Sequence, residues 1–369
     1  MEDEQIDRRF RILFFCTAAA LLLAIILSIL QFGVPARESR MKVGFVLLGS
    51  REDAGWNHSQ YIGIRNACSE LDMELLLREH VSENTGDCQR SVEDLADKGC
   101  RVIFLPSYGY LQEVRVFIQT HPQIEFCTND AEYQGSNIAA YAIRIYQARY
   151  LAGILAGRQT KTGIIGYVAA LPNSEVNRGI NAFALGVQQA NPEARVRVCW
   201  TGSWNDPQEE TAAVRRLRED NADVLTYHAD NHAAAIAAEE EGMDFIGFHE
   251  ALDGAYRHQL TSIVCNWTSA YLDVLHMYQR GEKRDTGFFW KGMEQGMTGL
   301  SELSPEVSSG VRDEIKQERR AILTGRRQIF SGEIYDQQGR LRCADGEAIP
   351  DEVLLRKMDW LVKGVDSLE

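Results

Sequence analysis

The chain has 369 residues, of which 45% are hydrophobic and 25% are charged, and its formal net charge is −14. A single hydrophobic core seldom grows beyond about 250–300 residues, so this length predicts two domains. The excess of 53 acidic over 39 basic residues argues against a protein that binds a nucleic acid polymer, because such proteins present a basic surface. A mean hydropathy of −0.27 excludes a chain built mainly of membrane spans.

The N-terminal segment differs from this average. Residues 12–36 contain no charged side chain, and three arginines come just before them. About 20 apolar residues cross a bilayer as a helix, and arginines before such a run favour a cytoplasmic N-terminus. We therefore expect residues 1–36 to be a transmembrane anchor at the cell membrane, with the rest of the chain on the extracytoplasmic side. A cleaved signal peptide is the alternative, because small residues near the end of the run suit a cleavage site.

Apolar runs alternate with helical segments from residue 41 onward. The first series predicts strands at KVGFVLLG, MELLLRE, CRVIFLP and IEFCTND, and helices at residues 56–71, 88–98 and 110–120. The second series predicts strands at TGIIGYVAA, RVRVCWTG, DVLTYHA and MDFIGFH, and helices at residues 174–190, 207–219 and 231–241. Strands that alternate with helices indicate parallel sheets covered on both faces.

The two series predict an α/β protein of the periplasmic-binding type, in which two doubly wound lobes with crossovers enclose a ligand cleft. The later strands LTSIVCNW and TGFFWKGM and a helix at residues 305–324 would complete the lobes. Lobe 1 is assigned to residues 42–134 with 265–300, and lobe 2 to residues 135–264 with 301–369. Ligands of open α/β sheets bind outside the carboxyl ends of the strands, so the ligand would lie between the two sets of strand ends.

The residues that follow the predicted strands are the candidates for ligand contact. Trp56 and Trp204 lie in corresponding glycine-containing turns of the two lobes, and each precedes a helix. Two indoles facing each other across a cleft would hold a flat ring, since stacking on an aromatic side chain is worth about 1–3 kcal/mol per base. The alternative is that both tryptophans only pack at the starts of their helices. The candidate binding residues are Asp53, Trp56, Asn57, Ser107, Asp130, Trp204, His228, His249, Asn266 and Trp267.

Two of these turns resemble motifs of a known family. DAGWN at residues 53–57 resembles the turn D-x-[SG]-[FW]-N, and GSWND at residues 202–206 resembles G-S-[FW]-x-D. Both belong to the basic membrane protein family of extracytoplasmic binding proteins, which hold purine nucleosides or nucleobases for ABC importers. The resemblance extends over nearly the whole chain from residue 42, including its closing segment at residues 330–342.

The resemblance implies roles for individual side chains. It places the base-clamping aromatic residues at Trp56 and Trp204, the base-edge asparagine at Asn57 and the base-reading aspartate at Asp130. The sequence departs from the family pattern where ribose would be bound. His249 stands in place of the sugar-binding aspartate, and residues 265–267 stand where a sugar-binding lysine is expected.

A third departure is Leu47, at a position after the first strand where the family often has aspartate. The loss of both ribose contacts favours a free base such as adenine or guanine, or another flat heterocycle, over a nucleoside. A hydrogen bond to a charged partner contributes roughly 1.5–3 kcal/mol, so the loss of such contacts weakens nucleoside binding.

The chain carries no motif of a common enzyme class. It has no G-x-G-x-x-G after a strand, no P-loop, no G-x-S-x-G and no H-E-x-x-H. His228 and His232 have a spacing seen in metal sites, but the first ends a strand and the second begins a helix, so no metal is expected. Residues 42–369 hold seven cysteines, an odd number without a CxxC pair, and most are expected to be small buried hydrophobes.

The prediction is therefore a solute-binding protein, not an enzyme, that has no cofactor and captures a purine nucleobase or nucleoside for an ABC permease. A membrane-anchored purine sensor of the same fold is the first alternative. A nucleoside-processing enzyme is the second alternative, which the missing motifs disfavour.

Overall fold

The computed structural model describes residues 2–32, 40–129, 135–251, 254–281 and 289–368. It divides into two units, Met1–Met41 and Lys42–Glu369. The first unit contains one helix, α1 (Glu2–Phe32). No helix in the described ranges has both the length and the apolar composition that crossing a membrane requires. The predicted anchor over residues 1–36 is therefore not confirmed, and its last residues lie outside the described part of the chain.

Strands and helices alternate along the second unit. The strands are β1 (Lys42–Val46), β2 (Glu74–Arg78), β3 (Val102–Leu105), β4 (Glu125–Thr128), β5 (Ile138–Ile143), β6 (Ile164–Ala169), β7 (Arg195–Trp200), β8 (Val224–His228), β9 (Asp244–His249), β10 (Gln259–Cys265), β11 (Phe289–Lys291), β12 (Thr298–Leu300), β13 (Ile334–Tyr335), β14 (Leu341–Cys343) and β15 (Val365–Leu368). The helices are α2 (Trp56–Glu70), α3 (Asp87–Asp97), α4 (Tyr110–Thr120), α5 (Tyr146–Gln159), α6 (Ser174–Ala190), α7 (Pro207–Glu219), α8 (Ala233–Glu240), α9 (Trp267–Gln279), α10 (Ser309–Leu323) and α11 (Asp351–Arg356). The predicted α/β class is confirmed.

Two sheets form the cores of two lobes. The first sheet has the strand order β11-β5-β4-β3-β1-β2, and its pairings are parallel. The second has the order β12-β10-β9-β8-β6-β7-β15 and is parallel except for the pair of β10 and β12. Parallel strands covered by helices are buried on both faces, which explains why β3 and β8 are apolar or buried throughout.

The chain passes three times between the lobes. It leaves the first sheet after β5, returns to it from β10 through α9 to β11, and leaves again for β12. The sheets differ from the predicted lobe boundaries in two places. β5 pairs with β4 and so extends the first sheet beyond residue 134, and β12 pairs with β10 in the second sheet, although residue 300 was assigned to lobe 1.

Aromatic rings in the first lobe form a packed group beneath the strand ends. Tyr271 of α9 lies 5.5 Å from Phe45 and 5.0 Å from Phe104 between ring centroids, and both contacts are edge-to-face. All three side chains are fully buried. The cysteines of the described chain form no disulfide, and most of them are buried in the lobes. Burial of apolar side chains, at about 25 cal/mol per Å² removed from water, therefore holds each lobe together without covalent cross-links.

Candidate functional site

A cavity lies between the carboxyl ends of the two sheets, where the sequence predicts the ligand. Its empty volume is about 370 Å³, including open solvent at its mouth. Residues from both lobes line it: Trp56, Pro106, Ser107, Tyr108, Asn129, Glu175, Trp204, His228, Asp230 and His249.

The first lobe contributes Trp56, the first residue of α2. The Trp56 ring contacts the rings of Trp267 and His249 edge-to-face, with centroid distances of 5.3 Å in both cases. Trp267 is 3% exposed and packs in turn on Tyr271. Aromatic pairs of this kind contribute about 0.5–1.5 kcal/mol beyond the area they bury. Trp267, a predicted ligand contact, therefore holds Trp56 in place from behind and does not line the cavity.

Two further predicted contacts shape the turn that precedes Trp56. The Oδ1 atom of Asn57 accepts a hydrogen bond from the backbone N–H of Gly49 at 3.1 Å. The Oδ2 atom of Asp53 accepts one from the N–H of Ser50 at 2.7 Å. Both side chains thus satisfy backbone donors between β1 and α2, and neither is among the lining residues. Their contribution is to fix the position of Trp56.

The remaining predicted contacts fall elsewhere. Asn266 is the N-cap of α9, and its Oδ1 atom accepts a hydrogen bond from the N–H of Ser269 at 3.3 Å. A side-chain oxygen at this position satisfies one of the free donors at a helix start. Asp130 lies outside the described residues. Five of the predicted residues do meet in the cavity: Trp56, Ser107, Trp204, His228 and His249.

The second lobe contributes Trp204 from the turn after β7. Its backbone carbonyl accepts a hydrogen bond from the N–H of Asp230 at 2.8 Å, which ties this turn to the end of β8. The Trp204 ring lies 6.0 Å from the His228 ring, and His228 packs edge-to-face on Phe248 at 4.6 Å. Aromatic rings from both lobes therefore form walls of the same cavity.

The lobes also contact each other directly at the cavity. The backbone N–H of Trp56 donates to the carbonyl oxygen of Asp230 at 3.1 Å. The Tyr108 hydroxyl donates to the carboxylate of Glu175 at 2.8 Å. Each bond joins a residue of the first lobe to one of the second, so the lobes are closed over the cavity in this structure.

Burial disfavours the charged forms of three side chains in the cavity wall. The pKa values of His228 and His249 lie well below the ordinary value, because burial penalises the charged ring and nearby Arg149 adds repulsion. Burial also raises the pKa of Asp230 well above its usual range, and the neighbouring Glu210 adds to this effect. The neutral form of all three side chains is therefore favoured, which suits an uncharged ligand.

Some polar atoms of the wall have no partner in the protein. Asn129 Oδ1, His228 Nδ1 and His249 Nδ1 are buried and make no hydrogen bond within the described ranges. His249 also has a backbone φ of 71°, a conformation that non-glycine residues rarely adopt. Backbone strain of about 1–3 kcal/mol at such a residue is characteristic of ligand sites. These features mark the end of β9 as part of a binding site.

The sequence prediction missed five of the lining residues: Pro106, Tyr108, Asn129, Glu175 and Asp230. Four of them lie at or just after the ends of predicted strands, so the rule that ligands meet strand ends could have found them. Glu175 lies in the first turn of α6, where an acidic side chain is also expected from the helix dipole alone. In the described part of the chain, no cluster of histidine, cysteine and acidic residues could hold a metal ion.

Two lobes closed over a cavity at their strand ends define a protein of the periplasmic-binding-protein-like fold. The model of the PnrA-like ABC transporter substrate-binding proteins, Bmp, matches residues 40–333. The chain therefore belongs to this family of ABC transporter substrate-binding proteins.

The alignments with individual relatives cover most of the chain. A purine-binding protein of Brucella abortus is 30% identical over 350 residues, which cover 94% of this chain and 99% of the relative. A putative ABC transporter glucose-binding protein of Haloferax volcanii is 30% identical over 338 residues, which cover 91% of this chain and 83% of the relative. The crystal structure of a transcriptional activator of the comK gene from Bacillus halodurans has a TM-score of 0.68 at 24% identity, covering 78% of this chain and 99% of that one. At this identity the last comparison shows the fold alone.

Proposed function

We propose that this protein captures a flat, uncharged heterocycle of the purine nucleobase class between its two lobes, on the extracytoplasmic side, for an ABC permease. The observation that carries the proposal is that Trp56 of one lobe and Trp204 of the other line the same cavity. Rings from opposite lobes can hold the two faces of a flat ligand only when the lobes are closed. Ligand binding would thereby be coupled to the closed form that a permease recognises.

The polar groups of the wall support a heterocycle as the ligand. Asn129, His228 and Asp230 offer hydrogen-bonding atoms beside the tryptophan rings, and burial favours the neutral form of the latter two. An uncharged base presents ring nitrogens, carbonyl oxygens or amino groups that such atoms can bind. The purine-binding relative from Brucella abortus supports the same ligand class.

A free base is favoured over a nucleoside. His249 occupies the end of β9, where the family pattern would place a sugar-binding aspartate, and burial favours its neutral form. Its ring lies against Trp56 at 5.3 Å. A neutral imidazole packed on an indole is a weaker partner for ribose hydroxyls than a carboxylate, because charge-assisted hydrogen bonds are about twice as strong.

Calorimetry on the full chain tests the ligand class. The compounds are adenine, guanine and hypoxanthine, their nucleosides, and glucose, which the name of the Haloferax relative suggests. We expect at least one base to bind, and to bind more tightly than its nucleoside. Binding of glucose, with no binding of any base, would refute the proposal.

The role of Trp204 can be tested against a neighbouring tryptophan. Stacking is worth about 1–3 kcal/mol, so Trp204→Ala should weaken base binding by about tenfold or more. Trp200→Ala is the matched control, because Trp200 ends β7 and its Nε1 donates to Ser367 Oγ at 3.3 Å, away from the cavity. Equal affinities of the two variants would show that Trp204 is not a ligand contact.

Transport and sensing can be separated in cells. If the protein delivers cargo, deletion of its gene should abolish high-affinity uptake of the base identified by calorimetry. Normal uptake after deletion, together with tight binding in vitro, would favour the sensor hypothesis.

A further inference from the structure

Two buried polar atoms, Arg149 Nε and Tyr167 Oη, lie around the same point as Nδ1 of His228. Arg149 of α5 and Tyr167 of β6 are both 0% exposed, and His228 is 5% exposed. A Cβ atom placed on Gly179 of α6 would lie 3.5 Å from Tyr167 Oη, 3.6 Å from His228 Nδ1 and 3.8 Å from Arg149 Nε. Polar atoms from three elements of the second lobe therefore surround one point against the backbone of α6.

These three atoms lack partners in the protein. None of them makes a hydrogen bond to the residues that the structure describes. The terminal nitrogens of Arg149 do donate, to Thr226 Oγ1 at 3.2 Å and to the carbonyl of Tyr227 at 3.0 Å. Buried polar atoms are nearly always hydrogen-bonded, often to an internal water, so this point has the surroundings of a water site.

The charge of Arg149 determines how a water molecule is oriented there. The Nε–H group of Arg149 can only donate, so the water oxygen faces it and the two water hydrogens point away. The acceptors that remain are Tyr167 Oη and His228 Nδ1. His228 Nδ1 and Arg149 Nε lie against the same point, and the positive charge of Arg149 favours a lone pair over a second N–H group there, so Nδ1 accepts this hydrogen bond and carries no proton.

The remaining proton of His228 is then on the other nitrogen. Burial, reinforced by Arg149, His249 and Arg178, holds the pKa of His228 well below its ordinary value, so the ring is neutral and carries one proton. His228 lines the ligand cavity while its Nδ1 atom is fully buried. Nε2 is therefore the nitrogen available to a ligand.

We propose that Arg149 is a positioning residue that acts through a water molecule at Gly179 and keeps the proton of His228 on Nε2. His228 then presents a hydrogen-bond donor to the cavity. A donor selects heterocycles that place a ring nitrogen or carbonyl oxygen at this position, and it disfavours those that place an N–H group there. The selectivity rests on the proposed function, whereas the position of the proton can be observed without any ligand.

Long-range ¹H–¹⁵N NMR of the histidine-labelled full chain measures that position. We expect wild-type His228 to show the Nε2–H pattern. In Gly179→Ala the new Cβ would make only ordinary van der Waals contacts with the protein, at 3.5–3.8 Å, and would exclude a water molecule from the space between Gly179 and the three polar atoms. We expect this variant to fold, to show a detectable Nδ1–H form, and to bind the best base about tenfold more weakly, the size expected for one hydrogen bond.

A second variant and a control complete the test. Arg149→Gln removes the charge directly and should shift the proton in the same way, while Gly179→Ala keeps the test decisive if Arg149→Gln does not fold. Arg158→Gln is the control on the same helix, because Arg158 pairs with Glu314 at 2.8 Å and is 40% exposed. It should leave both the His228 spectrum and the affinity unchanged.

Two results would overturn the inference. One is a wild-type His228 with its proton on Nδ1. The other is a proton position and affinity that stay at wild-type values in Gly179→Ala. If no base binds the wild type but the proton moves as expected, the assignment of Arg149 stands and the proposed ligand class fails.

Discussion

Gly55 controls how closely the lobes can approach, and substituting it tests whether closure supports binding. Gly55 has a φ of 92°, and a Cβ atom at this residue would lie 2.3 Å from the carbonyl oxygen of Asp230 in the other lobe. That oxygen accepts the hydrogen bond from the N–H of Trp56. In Gly55→Ala the lobes must separate at this point.

The expected loss follows from this contact. Separation breaks the hydrogen bond from the N–H of Trp56 to the carbonyl oxygen of Asp230. One such bond contributes about 0.5–1.5 kcal/mol to the stability of the closed state. This corresponds to a weakening of ligand binding of about 2- to 13-fold. Calorimetry gives the affinity, and small-angle scattering with saturating ligand should show a larger radius of gyration than the wild type.

A matched glycine separates closure from backbone strain. Gly202 also has a positive φ, 74°, but a Cβ atom there would have no neighbour within 4 Å. Gly202→Ala therefore introduces strain from a positive φ without an obstacle between the lobes. If Gly55→Ala and Gly202→Ala bind the base equally well, direct contact between the lobes does not contribute to affinity.

Two further predictions concern a bond across the cavity and a buried carboxyl group. Tyr108→Phe removes the hydrogen bond to Glu175, so calorimetry should show a Kd about 2- to 10-fold higher; an unchanged Kd would contradict a role in closure. Glu210 is 0% exposed, and burial raises its pKa from 4.5 to about 7. Between these two pKa values the folded state holds a proton that the unfolded state releases. The free energy of unfolding should therefore fall by about 2–4 kcal/mol as the pH rises from about 4.5 to above 7. Urea denaturation at pH 5 and pH 8 measures the change in the free energy of unfolding between these pH values. This change should be smaller in Glu210→Gln than in the wild type, and an equal change would refute the assignment.

The sequence predicts the fold well where its elements are long and apolar. Runs such as those of β1, β6 and β9 are of this kind. The turns after β1 and β7, which contain glycine and polar residues, locate Trp56 and Trp204. The short strand β5 was missed because its sequence, IAAYAI, contains small residues that suit helix and strand alike. β11 and β12 have three residues each, so only pairing with neighbouring strands assigns them to a sheet.

The site was harder to predict because the same side chains serve two purposes. Asp53 and Asn57 stand beside Trp56, and their oxygens could bind a ligand or the backbone of the turn. The structure shows bonds to the backbone, a use for which asparagine and aspartate are also favoured in turns. Glu175 presents the opposite case, because a residue suited to a helix start lines the cavity. Sequence spacing alone does not separate these alternatives.

The hydrogen bond from Trp56 to Asp230 joins main-chain atoms, and this has a consequence for how ligand preference can change. The bond does not depend on either side chain, so cavity residues such as His228 and His249 can be exchanged while the motion of the lobes is retained. Under the proposed function, recognition of the cargo and transmission of its presence to the permease are then separable traits. A protein with this arrangement can acquire a new cargo by substitution in the cavity wall and still present the same outer surface to the transporter.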